Sequence, residues 1–347
     1  MSTQRQIEGL TIARGLAAWM VVLFHIRGGM PWLPDGVMAV LDKGYLAVDF
    51  FFLLSGFVIY LTAHRAFLAE GLAALPAFFR RRAARIVPLY AVMLALTTAF
   101  AALLTMTGRD HSGYPWAELP LHMLLLQNWG FTDALTWNHP AWSISTEFAA
   151  YLLLPVLILT IPLHRLPGWA LFAGIAALIG IMAFLLGAAG LRDLGQDIPH
   201  FGIVRCLFEF SAGCLLCALW LRGRATGSRS AIFVAACVFI VPALFWSIHA
   251  PAELWAFPLI AAASIFLIAS APQARFPRAF LYLGEISYAT YLSHFMLFIW
   301  FKIVTVSDPA NIAPPVILLF LALSFAVSAL LYHSIERPGR RLGTKYR

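Results

Sequence analysis

The sequence predicts an all-α protein, a polytopic transmembrane helical bundle of about ten spans with both termini cytoplasmic. Three observations predict it. Of 347 residues, 61% are hydrophobic and 12% charged, and the mean hydropathy is +0.83; this is too apolar for a soluble globular domain. Apolar runs of about 17 to 25 residues, the length that crosses a bilayer core, recur from end to end. The basic residues fall in alternate connections, as the positive-inside rule requires. The formal charge of +8 is accordingly assigned to orientation in a lipid bilayer. No nucleic-acid partner is expected.

Taken in order, the spans are expected at 10–26, 46–64, 86–106, 140–162, 168–190, 199–221, 231–249, 253–270, 280–304 and 313–334. Arg65, Arg80, Arg81, Arg82 and Arg85 lie in the second connection, Arg222, Arg224 and Arg229 in the sixth, and Arg275 and Arg278 in the eighth. Arg337, Arg340, Arg341, Lys345 and Arg347 follow the last span. These sides are cytoplasmic, and the connections around 250 and 305–312, without Lys or Arg, are external. The fourth connection carries Arg165 alone, and the surrounding pattern decides its side. The first run has no small-residue cleavage site and is expected to stay as a span. These features imply a multi-pass protein of the plasma (inner) membrane.

The connection from Thr107 to Pro140 is external in this scheme. Its stretch PWAELPLHMLLLQNWGF is too short to span and is expected to lie in the interface or dip back, with Trp116 and Trp129 as interfacial anchors. Gly180 and Gly187, seven apart on one face of the fifth span, suggest close helix packing. Cys206, Cys214, Cys217 and Cys237 all sit in apolar runs. The Cys214/Cys217 spacing has no second pair or histidine nearby, so core packing is expected and no metal site. One domain, residues 1–347, is expected, with no appended soluble domain.

Polar groups inside spans demand a reason. Arg14 and His25 share the first span; eleven residues apart, they lie within about 20° on one helical face and roughly 16 Å apart along the axis. They line one passage, with Arg14 toward the cytoplasm and the titratable His25 toward the exterior. Asp49, in an inward-running span, starts near the exterior and is expected to meet His25. Glu147 enters from outside, about two turns deep by helix rise. Arg205 and Glu209, four apart, are expected to pair with each other. His294 falls in the outer half of an outward-running span, and Glu336 is expected to cap or pair at the last helix end. Ser55 suggests packing beside Gly56, with no base next to it in sequence.

The Arg14 to His25 opening, DFFFLLSGF at 49–57, RRAARIVPLY at 81–90, WSISTEF at 142–148, LGEISYATYLSH at 283–294 and IERP at 335–338 occur in an order that resembles the acyltransferase-3 family of integral membrane O-acyltransferases. The resemblance covers nearly the whole chain. It implies transfer of an acyl group, usually acetyl, from cytoplasmic acyl-CoA to a hydroxyl-bearing acceptor, often carbohydrate on a bacterial surface polysaccharide. Acyl-CoA is then a co-substrate, and no cofactor is bound permanently. On this resemblance His25 is the general base, Asp49 and Glu147 complete the catalytic set, and Arg14, Arg82 and Arg85 bind the donor. Trp142, Ser143 and His294 support the site or the acceptor. As a bare charge run, Arg80 to Arg85 is more often a topology anchor beside anionic lipid than a ligand site; the resemblance assigns Arg82 and Arg85 to the donor. The rival class is a transporter or flippase using the same charges as a pathway, which calls for symmetric halves with matching helix breaks; the sequence shows no such repeat. A scaffold without chemistry does not account for the clustered charges.

Overall fold

A computed structural model describes residues 3–226, 252–270 and 276–345. The described residues are helical throughout, with no strand. In chain order the helices are α1 (Thr3–Ile26), α2 (Asp35–Asp42), α3 (Ala47–Glu70), α4 (Leu75–Met106), α5 (Leu119–Met123), α6 (Ala141–Thr160) and α7 (Gly168–Ala188). They continue as α8 (Ile198–Thr226), α9 (Glu253–Ser270), α10 (Arg278–Glu285), α11 (Ser287–Thr305), α12 (Pro314–Leu331) and α13 (Arg337–Lys345). Nine of the ten expected positions hold a helix of 18 residues or more; the expected span 231–249, with Arg229 and Cys237, lies outside the described residues. Among the described residues seven stretches are long and apolar enough to cross a membrane, and one of them, Asp35–Met106, contains both α3 and α4.

Boundaries differ from expectation where local chemistry overrides hydropathy. Helix α3 stops at Gly71, whose φ of +58° favours a residue without a Cβ and whose N–H closes on the Phe67 carbonyl. Helix α4 then starts at Leu75, eleven residues earlier than expected, with Pro76 in its first turn where a missing N–H costs nothing. Arg80 to Arg85 are therefore on the helix and not in a connection. The expected span 280–304 is two helices broken at Ile286. At the other end of α12 a π-helical turn, Tyr332–Glu336, joins it to α13.

Helix α3 is central and runs against α8 at backbone contact. A methyl group on Gly56 would overlap the Phe210 carbonyl, and one on Gly213 would overlap the Leu53 carbonyl. Cys214 donates to the Gly56 carbonyl at 3.4 Å. Lipid tails are as apolar as leucine, so such close packing, not exclusion from water, holds helices together in a bilayer. Gly15 and Gly284 do the same between α1 and α10. At Gly180 and Gly187 no described residue lies within 4 Å of a Cβ, so among the described residues that face has no close partner. Cys206, Cys214 and Cys217 are buried and unpaired, as core residues.

The segment 107–140 folds back onto the ends of α6 and α8. Trp137 is its plug, 1% exposed, with Nε1 donating to the Pro115 carbonyl at 3.2 Å and the ring among Tyr114, Trp116 and His122. Trp116 is 40% exposed, as an interfacial side chain should be. Trp129 instead donates to the Ser145 carbonyl at 3.1 Å and ties the segment to α6.

Candidate functional site

Helix α1 carries both ends of the site and runs in the same direction as α11. Arg14 Nη2 donates to the Gly284 carbonyl at 2.8 Å, and its Nε donates to Ser287 Oγ at 3.0 Å. The Gly15–Gly284 approach brings α10 near enough for this. Eleven residues further along α1, His25 meets His294 of α11.

Hydrogen bonding fixes the tautomers at the histidine end. His294 Nδ1 lies 3.0 Å from the Thr290 carbonyl, and His25 Nδ1 lies 2.9 Å from the Val21 carbonyl and 3.1 Å from His294 Nε2. A carbonyl only accepts, so in neutral rings both Nδ1 atoms carry the hydrogen and His294 Nε2 is an acceptor. His25 Nε2 is left with its lone pair. Phe295 stands edge-on to His25, centroids 5.3 Å apart, and stacks on His139 at 4.6 Å. Ser143 Oγ and Tyr291 Oη lie 2.7 Å apart on the same side.

The arginine end gathers from four helices and the π turn. Arg82 and Arg85 of α4 and Arg340 of α13 are within electrostatic reach of one another or of Arg14, with Glu147 of α6 and Glu336 of the π turn. With Arg81 near Arg82 and Glu285 near Arg340, guanidinium groups outnumber carboxylates here. Glu336 is 1% exposed; Arg340 is 3.7 Å from it, and neither carboxylate oxygen has a hydrogen-bond donor. Arg82 Nε is buried and unmatched as well. Ser55 donates to Glu147. The chamber has surplus positive charge and unspent donors, the chemistry of an anion site.

Between the two ends, Asp49 of α3 and Arg205 of α8 form a fully buried pair. Arg205 Nε and Nη2 reach Asp49 Oδ1 at 3.0 and 2.6 Å, with Asp49 0% and Arg205 1% exposed. Trp142 lies under the guanidinium at 5.5 Å, and the Glu209 carboxyl faces Asp49.

Three expectations change. Asp49 does not meet His25: α3 is locked to α8 by Gly56 and Gly213, and that register gives Asp49 to Arg205. Arg205 is consequently spent on Asp49 and not on Glu209. Glu147 keeps company with Ser55 and the arginines, so it belongs to the anion end and not beside Trp142 and Ser143. Arg14, Arg82 and Arg85 do come together, as do His25 and His294. Glu336 does pair near the last helix end, but facing inward. Missed altogether were Ser287, Tyr291, His139 and Arg340. The first two had a signal: Ser287, Tyr291 and His294, spaced four and three apart, share a helix face.

The sequence matches the Acyltransferase domain family over residues 7–333. It is 29% identical to the acyltransferase MdmB of Streptomyces mycarofaciens, covering 97% of this chain and 92% of that one. It is 27% identical to a protein named as a membrane-bound transacylase, BcsY, of Komagataeibacter xylinus, covering 97% and 83%. A protein named as an O-acetyltransferase in Staphylococcus aureus (strain COL) is 24% identical over 98% of this chain, which spans 58% of that protein's length. No solved structure matches the chain.

Proposed function

The chain belongs to the acyltransferase-3 family of membrane acyltransferases, and on that premise we propose that it carries an acyl group, acetyl by preference, from cytoplasmic acyl-CoA to an acceptor hydroxyl met on the outer side of the plasma membrane. The observation that carries this reading is the free lone pair of His25 Nε2, with Nδ1–H held by the Val21 carbonyl and His294.

The donor's phosphates bind at the arginine end, where Arg14, Arg82, Arg85 and Arg340 supply charge-assisted donors and Glu147 and Glu336 keep the guanidinium groups apart and oriented. The pantetheine arm runs along the α1–α11 seam. This leaves the charged nucleotide outside the hydrocarbon, where its desolvation would be very costly. The thioester carbonyl then lies near His25. His25 Nε2 takes the acceptor hydroxyl's proton as the oxygen attacks that carbonyl; the C–S bond breaks, and the thiolate leaves with the CoA and is protonated. As the imidazolium forms, Nδ1–H has two acceptors waiting. The Asp49–Arg205 pair bridges α3 and α8 in the register that Gly56 and Gly213 allow, and does not touch the reacting atoms. The protein is one membrane domain working in this orientation, both termini inside.

The test is release of CoA from labelled acetyl-CoA by purified protein, with and without hydroxyl acceptors. Acceptor-stimulated release supports transfer; accumulation of an unmodified solute in vesicles without CoA release identifies a transporter. Sidedness is tested separately. A cysteine at Gly36, exposed between α1 and α3, should be labelled by an impermeant reagent only from outside, and one at Ala73, exposed between α3 and α4, only from inside. Labelling of both from one side overturns the crossing mechanism.

A further inference from the structure

Three helices place matching residues one turn apart between the two ends of the site. On α11, Ser287 bonds Arg14 and His294 meets His25; Tyr291 lies between them, within about 60° of both around the helix. On α6, Ser143 comes four residues before Glu147, and on α3, Phe51 comes four before Ser55, which donates to Glu147. These three residues meet. Ser143 Oγ is 2.7 Å from Tyr291 Oη, and Phe51 stands edge-on to the Tyr291 ring with centroids 5.8 Å apart. They form one layer between the arginine chamber and the two imidazoles, and a thioester carried from Arg14 toward His25 has to pass it.

The hydrogens in this layer can be counted. Ser143 has a single hydroxyl hydrogen and two oxygen neighbours, Tyr291 Oη and the Pro140 carbonyl at 3.1 Å. A carbonyl only accepts. Were Ser143 to donate to Tyr291, the phenol hydrogen would be left without an acceptor in a layer where both side chains are 6% exposed. Every hydrogen is used when Tyr291 donates to Ser143 and Ser143 to Pro140. The other hydroxyls of the same stretch of α11, on Ser287, Tyr288, Thr290 and Ser293, all donate to backbone carbonyls. Tyr291 differs in donating to another hydroxyl, whose own bond to Pro140 does not depend on it. Its hydrogen is the one in this stretch that can be redirected without stranding a backbone carbonyl.

We propose that Tyr291 is the oxyanion donor of the acyl transfer, its phenol hydrogen turning from Ser143 Oγ to the carbonyl oxygen of the arriving thioester. The inference deepens the acyl-transfer reading and rests on it. The acceptor oxygen bonds to the carbonyl carbon, its proton goes to His25 Nε2, and the displaced π pair rests on the oxygen that faces the phenol. As that pair re-forms the C=O bond, the C–S bond breaks toward the thiolate and the phenol hydrogen returns to Ser143. Tyr291 keeps its proton throughout. A donor aimed at charge that exists only in the transition state acts on kcat more than on KM.

Tyr291→Phe keeps the ring and removes the donor. In the full-length protein it should lower kcat for acetyl transfer about 10²- to 10³-fold, the usual worth of one oxyanion donor, with donor KM changed less than about threefold. A merely structural role is separated by a non-reacting ketone analogue of acetyl-CoA, in which a methylene replaces the sulfur and the carbonyl carbon is isotopically labelled. Its infrared C=O stretch should lie lower in the wild-type protein than in Tyr291→Phe, because a hydrogen bond to the oxygen weakens the C=O bond. Should Tyr291→Phe not fold, 3-fluorotyrosine at position 291, a stronger donor of nearly the same size, should move the stretch lower still. An unmoved stretch of the bound analogue, or an unchanged kcat in Tyr291→Phe, overturns the proposal. The two readings fail separately: a wild-type protein that turns over acetyl-CoA no faster than Tyr291→Phe sinks the oxyanion donor alone, and a wild-type protein that neither binds the analogue nor releases CoA sinks the acyl-transfer reading itself.

Discussion

His25 Nδ1 lies 3.1 Å from Nε2 of His294, and the second imidazole is itself anchored to the Thr290 carbonyl. The pair is a directed chain in which every hydrogen points away from His25 Nε2. Replacing His25 by Ala should lower kcat by about 10²- to 10⁴-fold, the usual worth of a general base, with donor affinity retained. His294→Gln, whose amide oxygen still accepts from Nδ1, should keep more activity than His294→Ala. Single-turnover acetyl transfer measures both, and equal loss in the two His294 variants would contradict the chain.

At the opposite end, Arg82→Gln and Arg85→Gln should raise the donor KM roughly tenfold or more each, since a hydrogen bond to a charged group contributes about 1.5–3 kcal/mol. Arg340→Gln should act in the same direction, although it lies far down the sequence from the α4 arginines. Acetyl-CoA titration calorimetry is the measurement. Unchanged affinity, with the protein inserted in mixed orientations, would make the α4 run a topology anchor.

Breaking the buried pair should be costly in one way and tolerable in another. Asp49→Leu or Arg205→Met alone strands a buried partner, at about 3–5 kcal/mol. Asp49→Leu with Arg205→Met should recover much of that stability. Thermal unfolding in detergent of the two singles and the double gives the coupling directly.

Glycines separate by what faces them. Gly56→Ala and Gly213→Ala force backbones apart and should cost at least about 1–3 kcal/mol, the range for an overpacked core. Gly180→Ala and Gly187→Ala meet open space and should stabilise α7 by up to about 1 kcal/mol through helix propensity. The same unfolding assay orders all four.

His122 gives the segment 107–140 a pH signature. Its folded pKa, lowered by burial to about 4, is below the unfolded value of 6.5, so between those values the unfolded segment binds the extra proton. The stability contributed is full above pH 6.5 and is lost as pH falls toward 4. Protection of residues 121–138, corrected for intrinsic exchange rates, should therefore fall as pH is lowered across that window, and fall less in His122→Gln, where only His139 still contributes.

Hydropathy and residue spacing made the spans and the Arg14–His25 axis legible, because both depend on periodicity along one chain. What they could not convey was which helix stands beside which. Asp49 and Arg205 are 156 positions apart, and their pairing follows from Gly56 and Gly213 fitting opposite carbonyls, a match between two distant segments. Gly180 and Gly187 carried a packing spacing too, and no described residue lies close to either. Arg340 was visible only as one more charge after the last span.

The π turn at Tyr332–Glu336 makes the end of the chain a matter of counting. A π turn holds one residue more than an α turn, and each residue rotates the remainder of the helix by about 100°. That single extra position brings Glu336 round to the arginines while Gly339 and Gly343 settle against Ala84 and Pro88 of α4. Deleting Ser334, an exposed residue of the turn, would relax it to ordinary helix. It would swing the carboxylate and both glycines off their partners together, though none of the three had been altered. In this stretch the chain's length shapes the arginine cluster as much as its side chains do.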